Sequence, residues 1–195
     1  MAFVAAALVG YLLGSLPIAY VVTRLLTGRD IRTLGTGNVG VLNTMRQVGV
    51  PAGMIVFVAE GAKGAAAVAI GHALTGRSAG ELLCALTALI GVNWSVFLGF
   101  AGGRGTTLCV FVTAILAPLV LLASAGVWLA VYGLRRDNFI ATRVNILGFP
   151  LLAFGITRSL QDFVFATLAI VVLLLRHNRA TDDHYQIAAE QVRPE

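Results

Sequence analysis

The chain has 195 residues, of which 58% are hydrophobic and only 12% charged, with a formal net charge of +5 and a mean hydropathy of +0.88. Soluble domains carry roughly 25% charged residues, so this composition describes an integral membrane protein, read as one domain over 1–195, and leaves no room for a large soluble part. The basic residues lie mostly between apolar runs, which marks them as topological and lipid-headgroup signals and excludes a nucleic-acid partner.

A membrane-spanning helix needs about 20 apolar residues. The first such run covers 2–26; it has no basic leader region, so it reads as a retained span. Within it, Gly14-Ser15-Leu16-Pro17 predicts a kink, because proline removes a backbone donor. Residues 27–50 form a glycine-rich polar loop, Gly35-Thr36-Gly37-Asn38-Val39-Gly40-Val41-Leu42-Asn43, flanked by Arg24, Arg29 and Arg32 before and Arg46 after. Glycines allow main-chain N–H groups to approach a ligand, and successive N–H groups can cradle an anion. Arginine adds a bidentate fork for phosphate.

Span two covers 52–74 and is interrupted by Glu60 and Lys63, three apart and so on one helical face. The two can pair with each other, or Lys63 can face an anionic substrate while Glu60 orients it. Span three covers 80–100 and ends in a second glycine cluster containing Gly102-Gly103-Arg104-Gly105. That cluster immediately precedes an apolar helix opening with Thr106 and Thr107, and a helix N-terminus favours phosphate. The run 106–134 is longer than one crossing requires, and Pro118 near its middle divides it into two helices that turn around near Ala117. A charged loop at 135–138 leads to span six at 139–156 and span seven at 160–175, followed by a polar tail.

The fold class expected is therefore an all-α polytopic membrane protein with about seven transmembrane helices. With the N-terminus outside and the C-terminus inside, the inner loops hold most of the arginines and the outer loops only Arg77 and Arg158. The same orientation gathers both glycine loops, the 135–138 loop and Arg176-His177 on the cytoplasmic face. The two cysteines, Cys84 and Cys109, lie in apolar runs and read as small buried hydrophobes. No metal-binding cluster, Walker A sequence or GxSxG elbow occurs, and no cofactor is expected. Nothing in the sequence speaks to oligomeric state.

Taken together, these segments resemble the bacterial acyl-phosphate:glycerol-3-phosphate acyltransferases of the PlsY type, over nearly the whole length. Gly14-Ser15-Leu16-Pro17 resembles that family's GSIP, and the 35–43 loop with Arg46 resembles its GSGNxGxxN…R. Glu60-Gly61-Ala62-Lys63-Gly64 is similar to its DxxKG, Gly99-Phe100-Ala101-Gly102-Gly103-Arg104-Gly105 to its GFKGGKG, and Arg176-His177 to the RH of its last motif. The resemblance implies acyl transfer from acyl phosphate to glycerol 3-phosphate at the cytoplasmic face of the plasma membrane, in phospholipid biosynthesis. It implies Lys63, Arg104 and His177 as catalytic residues. It implies Ser15, Thr36, Gly37, Asn38, Gly40, Asn43, Arg46, Gly102, Gly103, Gly105 and Asn138 as the phosphate and substrate contacts. Departures fall at Val92, where the family has histidine, at Asn138 in place of serine, and at Ala180 in place of asparagine. They keep open a relative that binds lipid or phosphate without this reaction. A small transporter would instead carry its charges along a path through the membrane, and would show two matched halves.

Overall fold

The computed structural model describes residues 1–176, and among them there are nine α-helices and no strand. Helices α1 (Ala2–Ser15) and α2 (Ile18–Thr27) are one apolar stretch broken at Leu16-Pro17. Pro17 has no N–H, and the Ile18 N–H turns to the Leu16 carbonyl, so the Gly14 carbonyl loses its helical partner. Helix α4 (Val50–Thr75) and α5 (Ser78–Asn93) follow the intervening loop, with α3 (Val41–Gln47) inside that loop. The last four are α6 (Thr106–Leu116), α7 (Pro118–Arg135), α8 (Asn138–Thr157) and α9 (Leu160–Arg176).

Small residues bring the first helices together. A Cβ on Gly10 or Gly14 would collide with the backbone of α5 at Cys84 or Ala88, and one on Gly91 would collide with the Tyr11 carbonyl of α1. Close backbone approach through small residues is the way helices associate where lipid offers no hydrophobic driving force between them. The buried side chains are accordingly small: Ala6, Ala67, Cys84, Ala85 and Ala88 form the centre of the main cluster with Leu89, Leu108 and Val112. Large ones such as Leu8, Leu25, Leu122, Leu129, Leu151 and Leu175 point outward. Five helical stretches, Ala2–Thr27, Val50–Thr75, Ser78–Leu98, Pro118–Arg135 and Asn138–Thr157, are long and apolar enough to cross a membrane. This is a multi-pass, all-helical membrane protein.

Two expectations need adjustment. The 27–50 segment is not an open loop throughout, since it contains the short helix α3 and a 3-10 turn at Ile31–Thr33. Ile31 and Leu34 are both buried and anchor it to the helices. Helix α5 stops at Asn93, before residue 100, because the Val92 carbonyl accepts from Gly103 N–H (2.9 Å), not from the next helical turn. The chain then folds through a 3-10 turn at Val96–Leu98 into the second glycine loop. Pro118 divides the 106–134 run as expected, with Ala117 between α6 and α7. Thr106 and Trp128 line one cavity. In a continuous helix they would lie about 33 Å apart, so α7 folds back along α6.

Candidate functional site

The first glycine loop is built around Asn43, which is only 2% exposed. Its amide nitrogen donates toward the carbonyls of Leu34 (3.0 Å), Asn38 (3.0 Å) and Ile31 (3.4 Å), and its oxygen accepts from Thr36 N–H (3.2 Å). Asn43 therefore ties the loop together from beneath. Gly35 (φ 51°) and Gly37 (φ 70°) adopt left-handed backbone that other residues resist. The Thr36 hydroxyl accepts from Asn38 N–H (3.4 Å), and the Thr44 hydroxyl donates to the Gly40 carbonyl (2.9 Å). On the solvent side of this loop, Asp30 caps the 3-10 turn and pairs with Arg32 at 2.6 Å. The hydrogen bonds from Arg32 hold the Asp30 carboxyl below its usual range.

The second glycine loop lies directly against the first. A Cβ on Gly103 would strike the Val39 carbonyl, and one on Gly102 would strike the carbonyls of Val92 and Asn93. Asn93 Nδ2 donates to Leu89 O (2.8 Å) and to Arg104 O (3.2 Å), fixing the loop to the end of α5. Gly105 (φ 77°) stands at the N-cap of α6, and among the described residues no side chain caps the first N–H groups of that helix.

Two polar cavities flank the junction. One of about 250 Å3 is lined by Asn38, Gly40, Glu60, Val92, Arg104 and the start of α6 at Thr106 and Thr107. The other, about 240 Å3, is lined by Thr36, Gly37, Asn38, Gly102, Gly103, Arg104 and Arg176. Asn38 and Arg104 belong to both and form their common wall. An apolar cavity of about 230 Å3 between α5, α6, α7, α8 and α9 shares Thr106 with the first. The geometry is thus two chambers that share Asn38 and Arg104, the first with apolar residues and Glu60 also on its wall, and an apolar cavity that borders the first at Thr106.

Lys63 and Glu60 are both buried, and they pair at 2.7 Å. The Lys63 ammonium also donates to Gly14 O (3.2 Å) and Leu16 O (2.9 Å). Its three protons are therefore met by protein oxygens, two of them on the carbonyls around the Pro17 break. Ser15 is fully buried and lines a small pocket beside Lys63; its carbonyl accepts from the Ser95 hydroxyl (2.6 Å). Of the sequence-predicted residues, Thr36, Gly37, Asn38, Gly40, Arg104, Gly102, Gly103 and Gly105 come together around the two polar cavities. Ser15, Asn43 and Lys63 stand behind them as supports. Arg46, exposed on α3, and Asn138, the first residue of α8, line neither polar cavity. His177 and Ala180 lie outside the described residues. Arg176 was under-weighted by the sequence: its guanidinium donates to Asn93 O, sits 5.3 Å from the Trp94 ring and lines the second chamber. The Arg-His pair was its signal.

The sequence profile of the family described as glycerol-3-phosphate acyltransferase matches residues 4–185. The chain belongs to that family. A glycerol-3-phosphate acyltransferase 2 of Moorella thermoacetica is 40% identical over 164 residues, covering 84% of each chain. A glycerol-3-phosphate acyltransferase 1 of Dehalococcoides mccartyi is also 40% identical, over 174 residues, 86% of this chain and 82% of that one. Among solved structures, the glycerol 3-phosphate form of PlsY (YgiH), an integral membrane glycerol 3-phosphate acyltransferase, superposes with a TM-score of 0.80 at 26% identity, over 100% of this chain and 96% of that one. Val92 lies at the cavity itself. The residue is buried, it lines the 250 Å3 chamber, and its side chain lies beneath Gly103 and Gly105.

Proposed function

We propose that the protein transfers an acyl group from acyl phosphate to glycerol 3-phosphate, giving lysophosphatidic acid and inorganic phosphate. The observation that carries this reading is the pair of chambers sharing Asn38 and Arg104, one of them bordered at Thr106 by an apolar cavity. An amphiphilic donor with a phosphate head and an acyl tail matches that bordering pair of cavities. A small phosphorylated polyol matches the other, with Arg176 on its wall.

In this arrangement the two substrates meet at the Asn38–Arg104 edge common to both chambers, and there the acceptor hydroxyl attacks the acyl carbonyl carbon directly. A new carbon–oxygen bond forms, the bond from the acyl carbon to the phosphate oxygen breaks, and the phosphate leaves with the electron pair. The hydroxyl proton passes to a phosphate oxygen, so no protein base and no acyl-enzyme is required. The donor is already activated, and catalysis comes from holding the reactants together and neutralising charge. Arg104 and the N-terminus of α6 face the developing negative charge. Lys63 acts as a positioning residue through the α1–α2 break. Arg46, Asn138 and His177 remain candidates for contact with substrate phosphate from outside the two chambers.

The chain, as a single domain, crosses the plasma membrane seven times in this reading, with its N-terminus outside and the glycine loops in the cytoplasm. The concentration of arginine at the ends of α2, α7 and α9 and in both glycine loops supports it. Purified protein given palmitoyl phosphate should release phosphate rapidly only when glycerol 3-phosphate is present. Release that ignores the acceptor, or a trapped covalent acyl-protein, would overturn direct transfer.

A further inference from the structure

Beside the 230 Å3 apolar cavity lies a smaller one of about 30 Å3. Four side chains line both: Val112, Thr113, Phe149 and Phe165. Beyond them the smaller void runs on past Ala117 and Ala153 to Asp162. From Thr106 at the mouth to Thr113 at this partition is about 10 Å along α6. The large cavity, which shares Thr106 with the polar chamber, and the smaller void thus have the phenyl rings of Phe149 and Phe165 in their common wall. Phe149 is held firmly, packed on the cluster of Val120, Ala153 and Ala166 and followed in α8 by the buried Pro150. Phe165 packs on the main core cluster.

We propose that Phe149 and Phe165 are specificity-determining residues that set the longest acyl chain the enzyme handles efficiently. The inference rests on the reading of the 230 Å3 cavity as the seat of the donor's tail. Each methylene that leaves water for the cavity strengthens binding roughly fourfold. That gain ends at the rings, where a further methylene meets a packed interior and overpacking opposes it. The space beyond is apolar until Asp162, so removing a ring lengthens the usable passage and does not open it to charge.

The test measures kcat/KM for a series of donors from octanoyl to stearoyl phosphate, with wild type, Phe149→Ala and Phe149→Trp. Wild type should improve with length and then level off or fall. Phe149→Ala should move that optimum by about two methylenes, the room a lost ring provides, raising the ratio of long- to short-donor kcat/KM roughly 15-fold. Phe149→Trp should move the optimum the other way. Phe165→Leu tests the opposite wall and should also favour longer donors. Activity in all of these proteins with one unchanged length profile would overturn the ruler and leave the acyltransferase reading standing. Wild type that turns over none of the donors would sink both.

Discussion

Arg104 lies in the wall between the two polar chambers, while its carbonyl is tied to the Asn93 amide. Its side chain and its backbone therefore have separable duties. Arg104→Ala keeps the backbone tie and removes the guanidinium. A charge-assisted hydrogen bond is worth about 1.5–3 kcal/mol, so kcat/KM for phosphate release should fall roughly 10- to 150-fold. Arg104→Lys keeps the charge without the planar fork and should lose less. At this scale the sequence distinguished poorly between a ligand contact and a strut. Asn43 and Lys63 stand in motifs that suggest substrate contact, yet their partners here are protein oxygens, mostly backbone carbonyls. A backbone carbonyl has no letter of its own in the sequence, so such partners stay invisible until the chain is folded. Gly103 is the opposite case: its lack of a side chain invited close approach, and the Val39 carbonyl of the other loop is what approaches.

Among the elements, the break between α1 and α2 depends on α4 as much as on Pro17. At the proline break the Ile18 N–H turns from the Gly14 carbonyl to that of Leu16, and Lys63 supplies Gly14 with a replacement donor while holding Glu60. Lys63→Met removes the replacement and leaves Glu60 buried without its counter-charge. Breaking a buried ion pair from one side costs about 3–5 kcal/mol, so the variant should unfold at markedly lower temperature in detergent. A variant with unchanged melting would show that the pair contributes little to the fold. Helix limits were legible where composition changes abruptly: α4, α8 and α9 begin and end within two residues of the hydrophobic runs. The Ala117-Pro118 division was legible because proline at the first position of a helix needs no N–H partner. The end of α5 at Asn93 was not, because apolar residues continue to Phe100 and the stop is imposed by Gly103, ten residues later. Helix α3 was hidden by the glycines before it and by its brevity.

For the whole molecule, charge placement argues that both glycine loops face the cytoplasm. A cysteine at Thr36 should stay unlabelled by an impermeant maleimide in intact cells and react once the membrane is opened. Labelling from outside would invert the assignment. The all-helical membrane architecture was legible from composition alone; the bringing together of two loops more than sixty residues apart, about 67 between Asn38 and Gly105, required the folded chain. Helix α6 has only 11 residues, about 16 Å of rise, against a hydrocarbon layer of about 30 Å. Doubled against the 18-residue α7, it stops about 10 Å short of its neighbour's end. In the proposed seven-span orientation, with the end of α7 at the headgroup plane, its N-terminus at Thr106 would lie below that plane. On the proposed reaction, a lipid donor would then slide in sideways from its own leaflet without lifting its tail into water, and only its phosphate would have to sink. The depth of that descent is set by the thickness of the surrounding bilayer, so the host membrane itself becomes a determinant of turnover.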